Sequence, residues 1–165
     1  MGVDVRAAGP ADLEAISEVA EAAWGAAHEP IVGPGAVESF LEEHYDRDSF
    51  EPYLSADRPL LAVAEDEPRG VVGFVSASPD DDSAERFNLG RLYVHPDRWG
   101  EGFGRRLLAH AESAIAERGG ERVSLGVMAE NDRAVGFYES AGYERVDGFY
   151  DGRLDAEGYT YEKGL

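Results

Sequence analysis

Residues 89–104 read LGRLYVHPDRWGEGFG, and Arg105, Arg106, Leu107 and Leu108 follow at once. An apolar strand therefore runs into a turn with glycine at 100, 102 and 104, and the turn runs into an amphipathic helix. Such a unit can hold a pyrophosphate with main chain alone. Glycine removes the side chains that keep a ligand off the backbone. Successive N–H groups form an anion-binding concavity, and the helix start adds unpaired N–H groups and a positive dipole end. Two phosphate loops of this general kind do not fit. The dinucleotide fingerprint GxGxxG needs glycine where Arg105 stands. A P-loop needs GxxxxGK[ST], and the only lysine in the chain is Lys163. On this segment alone, an ordinary glycine-rich turn remains the alternative.

A second motif lies one strand and one helix downstream: residues 131–143 read NDRAVGFYESAGY. The first turn, Trp99-Gly100-Glu101-Gly102-Phe103-Gly104, occupies a [Q/R]xxGx[G/A] pattern, and the second segment follows NxxAxxFYExxGF. In this order and at this spacing the pair resembles the GNAT N-acetyltransferase superfamily, over roughly the C-terminal third of the chain. The N-terminal half carries no comparably specific motif. One position departs from the pattern: Trp99 stands where Gln or Arg is usual, and Arg98 is one residue early. That position contributes mainly its backbone.

Hydrophobic periodicity and turn chemistry set out the remaining elements. Strands are predicted over 2–7, 60–65, 70–78, 87–94, 122–127, 143–149 and 158–163, with a hairpin turn at 66–69. Leu13, Ile16, Ala20, Ala23 and Trp24 recur at helical spacing after Pro10, which suits a first helical turn. The PIVGP run at 30–34 should break that helix, and a second should cover 36–43. Residues 46–58 read as irregular or as a short helix. A helix over 102–118 ends at Gly119-Gly120, and another runs from an Asn131 N-cap to Gly142. The order βααβββαβαββ matches the α/β (α+β) fold that the resemblance implies. That fold is a mixed, mostly antiparallel sheet of six to seven strands with helices on both faces, here one domain over 1–165.

Composition narrows the chemistry. There is no cysteine, so disulfides, thiolate metal sites and a cysteine nucleophile are excluded. None of His28, His44, His95 and His110 has metal-site spacing, and His95 reads as a structural residue of a VHP turn. No metal is expected. The net charge of −19 argues against nucleic acid as a partner. No apolar run approaches the ~20 residues that cross a bilayer, so no membrane partner is expected. The acidic N-terminus lacks a signal peptide's basic start, and a cytoplasmic location is expected. Acidic residues are spread along the chain and lysine is almost absent, which fits a halophilic protein in a high-salt cytoplasm. Within this acidic chain residues 89–110 are net positive, with Arg91, Arg98, Arg105 and Arg106 against Asp97 and Glu101. Arg105 and Arg106, just after the turn, are expected near phosphate.

The resemblance implies acetyl-CoA as co-substrate and an amine as acceptor, with direct transfer. Family members are often dimers. The cofactor contacts carried over are the backbone of Leu92, Tyr93 and Val94, the turn residues Trp99, Gly100, Glu101, Gly102, Phe103, Gly104 and Arg105, and Asn131, Ala134 and Phe137. A bulge in the strand before the turn would open the gap that the pantetheine arm enters. Tyr138 aligns with the acid that protonates the leaving thiolate. Glu85 is the nearest candidate for general base and Asp82 a weaker one, while Asn88 or Tyr150 would orient a water. Trp24, His28, Tyr45 and Tyr150 are the candidates for acceptor binding. A non-catalytic acyl-CoA sensor of the same fold is the alternative, and the presence of Tyr138 disfavours it.

Overall fold

The computed structural model describes residues 3–44, 50, 53–54, 60–66, 70–152 and 156–165. Two strands at its centre, β2 (Leu60–Asp66) and β3 (Gly70–Pro79), are apolar on consecutive positions, not alternate ones. A strand of that kind must be covered on both faces. Leu61, Val63 and Phe74 meet Leu13, Ile16, Ala20 and Trp24 of helix α1 (Leu13–Ala27) on one side. Leu60, Ala62, Val72 and Val75 pack on the other side with Leu107, Leu108, Ala111 and Ile115, from a helix described below.

The other strands are β1 (Val3–Ala7), β4 (Arg86–Val94), β5 (Arg122–Met128), β6 (Glu144–Asp151) and β7 (Ala156–Gly164). They form one seven-stranded sheet in the order β1-β2-β3-β4-β5-β7-β6. Every neighbouring pair is antiparallel except β4 and β5. Further α-helices are α2 (Glu29–Val32), α3 (Pro34–His44), α4 (Phe103–Glu117) and α5 (Asp132–Ser140), with short 3-10 turns at Pro10–Asp12 and Pro96–Arg98. Helix α4 makes the crossover between the parallel pair and supplies the second core face. The fold is the mixed, mostly antiparallel one expected.

The PIVGP run does more than break a helix. Pro30 sits in the first turn of α2, where its missing N–H costs nothing. Gly33, at φ +90°, ends that turn, and Pro34 opens α3. The result is a short extra helix between the two expected. Most of 46–58 and the tip of the expected hairpin turn lie outside the described residues. Phe50 is described and is fully buried beside Phe74.

Candidate active site

The site begins with a fault in strand pairing. Between β3 and β4, Ser76 pairs with Arg91 but Ala77 pairs with Leu89, so Gly90 is an extra residue on β4. Such a bulge bends and twists its strand. On its other side β4 pairs with β5 only from Arg86↔Arg122 to Asn88↔Ser124. From Leu89 onward the two parallel strands separate. The edge of β4 at Leu92, Tyr93 and Val94 is thereby open to an extended chain.

A cavity of about 380 Å³ runs from this edge to the glycine turn. Gly100 and Gly102 have φ of +82° and +91°, values that favour glycine. Gly102 is the N-cap of α4 and no side chain caps it, so the first-turn N–H groups are left for a ligand. Gly104 serves closeness instead: a Cβ there would lie 3.4 Å from the Phe137 ring, where α4 meets α5. Trp99 locks the turn to the strand, its indole N–H donating to the Val94 carbonyl at 2.8 Å. The cavity lining includes Leu92, Tyr93, Val94, Trp99, Gly100, Gly102, Phe103, Gly104, Arg105, Asn131, Ala134 and Phe137. Glu101 is not in it; its carboxylate pairs with Arg98 at 3.5 Å.

The electropositive segment divides. Arg98 and Arg105 line the cavity, Arg98 paired to Asp66 at 2.6 Å and Arg105 donating to the Ser140 hydroxyl at 3.2 Å. Arg106 is exposed and outside the lining, contrary to expectation. Helical geometry turns each successive side chain by about 100°, which carries it away from its neighbour's face. Arg91 lies over the Phe50 and Tyr53 rings, at 4.8 and 5.6 Å. Three lining residues carried no sequence expectation: Ala23 and Ala27 of α1, and Arg133. Only the first two had a signal, as small residues on the helix's buried stripe.

A second cavity, of about 450 Å³, adjoins the first. It shares Leu92, Tyr93, Asn131, Ala134 and Tyr138 with the first. Tyr138 therefore borders both. It is 8% exposed, with its ring against Phe137 and Tyr143. Asn131 borders both as well, and its side chain caps α5 by accepting from the Ala134 N–H at 3.2 Å. Trp24 and His28 form one wall, their ring centres 4.2 Å apart, with Tyr93 edge-on to His28. Burial pulls the His28 imidazole down to about 4, so it is neutral at pH 7. Phe149, Asp151 and Glu157 form the opposite wall.

Several expected residues lie elsewhere. Tyr150 is 62% exposed and outside the lining. Strand alternation explains this: Phe149 and Asp151 share the cavity face of β6, and Tyr150 points to the other. Glu85 and Asp82 are exposed and border neither cavity. Glu85 sits where β4 and β5 still pair, its carbonyl accepting from the Glu121 and Arg122 N–H groups, before the strands separate. Asn88 borders the second cavity, with its amide donating to Asp80 at 3.3 Å. Tyr45 lies outside the described residues. His95 closes its own turn, accepting from the Asp97 N–H at 3.2 Å. Among the described residues no cluster of three or more His, Cys, Asp or Glu is placed to hold a metal, and no helix is long and apolar enough to cross a membrane.

Comparison with known proteins agrees with this geometry. The family model described as Acetyltransferase (GNAT) family matches residues 16–143. An uncharacterised N-acetyltransferase of Mycobacterium bovis is 30% identical over 145 residues, spanning 88% of this chain and 90% of that one. The mycothiol acetyltransferase of Kocuria rhizophila is 40% identical over 96 residues, 55% of this chain and 32% of that one. The crystal structure of PaiA N-acetyltransferase from Thermoplasma acidophilum, in complex with coenzyme A, matches 100% of both chains with a TM-score of 0.88 and 25% identity.

Proposed function

The chain belongs to the acetyltransferase (GNAT) family, and from that premise we propose that it transfers an acetyl group from acetyl-CoA to a primary amine within a ternary complex. The observation that carries the reading is the meeting of two cavities at Tyr138. A donor entering from the glycine turn and an acceptor held in the second cavity reach the same residue.

The donor set suits acetyl-CoA. The N–H groups of Gly100–Gly104 and of the first turn of α4 take the pyrophosphate. The open edge of β4 and Asn131 take the amide-bearing pantetheine arm. The thioester then lies between β4 and Tyr138. A neutral amine attacks the thioester carbonyl, forming the C–N bond. The carbonyl oxygen carries the negative charge, which main-chain N–H groups stabilise. The C–S bond then breaks, and the Tyr138 hydroxyl gives its proton to the leaving thiolate. The proton lost by the amine nitrogen leaves through the acceptor cavity. No covalent enzyme intermediate is needed.

The acceptor cavity sets the amine's character. Among the described residues, Asp151 and Glu157 are its charged lining residues, with no lysine or arginine beside them. An acceptor that carries a second, cationic group beside its neutral attacking amine is favoured there, and one bearing a carboxylate is disfavoured. The test is a thiol-release screen across diamines, amino acids and N-terminal peptides, run with wild type and Tyr138→Phe. We expect release with diamines or basic peptides. Tyr138→Phe should lower kcat by about 10²-fold or more and leave the Kd for acetyl-CoA near the wild-type value. Tight coenzyme A binding with no release from any amine would replace this reading with a binding-only sensor.

A further inference from the structure

We propose that Arg133 is a cationic contact for a phosphate of acetyl-CoA, held in place by Trp99; the proposal rests on the cofactor reading above. Trp99 is the residue at which the turn departs from the family pattern. Its indole N–H is tied to the Val94 carbonyl at 2.8 Å, and its main-chain N–H donates to the Pro96 carbonyl at 3.2 Å. With both anchors made, the ring is a rigid plate at the start of the glycine turn. The Arg133 guanidinium lies over that plate, 4.4 Å from the ring centre. Both side chains line the first cavity.

The pairing has a consequence for charge. Arg98, in the same cavity, is neutralised by Asp66 and Glu101. Arg133 makes no ion pair or hydrogen bond among the described residues. An aromatic face orients a guanidinium without cancelling its charge, and the fork of N–H donors stays available in the ring plane. That is the state an arginine must be in to bind a phosphate bidentately. Arg133 also stands in the first turn of α5, two residues past the Asn131 N-cap, so the positive end of that helix adds to its field.

Acetyl-CoA offers two phosphate sources, the pyrophosphate and the ribose 3′-phosphate. Calorimetric titration of coenzyme A and of 3′-dephospho-coenzyme A separates them. Arg133 is exposed, so Arg133→Gln should fold normally. We expect that variant to bind coenzyme A roughly tenfold more weakly, the scale of one lost charged hydrogen bond. An equal loss with both ligands assigns the pyrophosphate; a loss with coenzyme A alone assigns the 3′-phosphate. Trp99→Leu, with its fold checked by thermal melting, should lose several-fold through the same contact. Arg122→Gln removes the same charge on the side of the sheet where Arg122 pairs with Glu162, and should stay within about twofold of wild type. Arg133→Gln within twofold of wild type for both ligands, or an equal loss in Arg122→Gln, overturns the proposal. Failure of the wild type to bind coenzyme A would instead overturn the cofactor reading.

Discussion

His28 is a polar ring placed where water cannot reach it. It is 5% exposed, packed against Trp24, and its Nδ1 has no hydrogen-bond partner among the described residues. Burial disfavours the charged form and pulls its pKa to about 4 from an ordinary 6.5. The effect on stability has a definite sign. Between those values the unfolded chain binds more protons than the folded one, so stability rises with pH. The contribution is present above about pH 6.5 and is lost as pH falls towards 4. Its ceiling is about 3 kcal/mol. Urea unfolding of wild type and His28→Gln should show the wild type losing about 1–3 kcal/mol more between pH 7 and 4.5. Parallel pH profiles for the two proteins would remove this account of His28.

Helix α5 decides where Tyr138 stands, and its C-terminal end is lashed down by one residue. Lys163 of β7 donates to both carboxylate oxygens of Glu112 on α4, at 3.2 and 3.1 Å, and to the Ala141 carbonyl at 2.9 Å. Tyr143, just past α5, donates to the same carboxylate at 2.9 Å. Burial beside Glu112 pushes the Tyr143 phenol well above its usual pKa and keeps it a donor. One strand and two helices thus converge on a single half-buried carboxylate. Lys163→Met should cost about 1–3 kcal/mol, because Glu112 loses its cation while staying partly desolvated. Its kcat should fall further than its KM for acetyl-CoA rises, since α5 moves but the glycine turn does not. Denaturant melts and steady-state kinetics check both. Unchanged stability would show the lashing to be idle.

At the scale of the molecule, charge dominates. The chain carries 34 acidic and 15 basic residues. Spread along the whole chain, that excess repels itself at low ionic strength. At 1 M salt the Debye length falls to about 3 Å, and the repulsion is screened. Thermal melts and activity measured from 0.1 to about 2 M KCl should both rise with salt. A maximum at low salt would contradict the halophilic reading. The open edge of β4 is also a whole-sheet property, because it exists only where β5 ceases to pair.

What could be read from the chain was whatever is local. The glycine positions at 100, 102 and 104, the Asn131 cap and the hydrophobic spacing are short-range chemistry, so the turn, the strands and helices α1, α3, α4 and α5 were legible in advance, but not the short α2. The resemblance carried by two motifs singled out Tyr138 and most of the residues that line the first cavity. Folding decided the rest, because it brought together residues distant in sequence. The register slip at Gly90 opened the strands. Strand alternation put Phe149 and Asp151 in the second cavity and Tyr150 outside it. The pairing of β4 with β5 left Glu85 away from both cavities. Trp99 looked like a mismatch while it was only a letter in the turn. Its ring gained a role when α5 brought Arg133 onto it, since a one-dimensional pattern cannot record which face of a distant helix comes to rest on a given side chain.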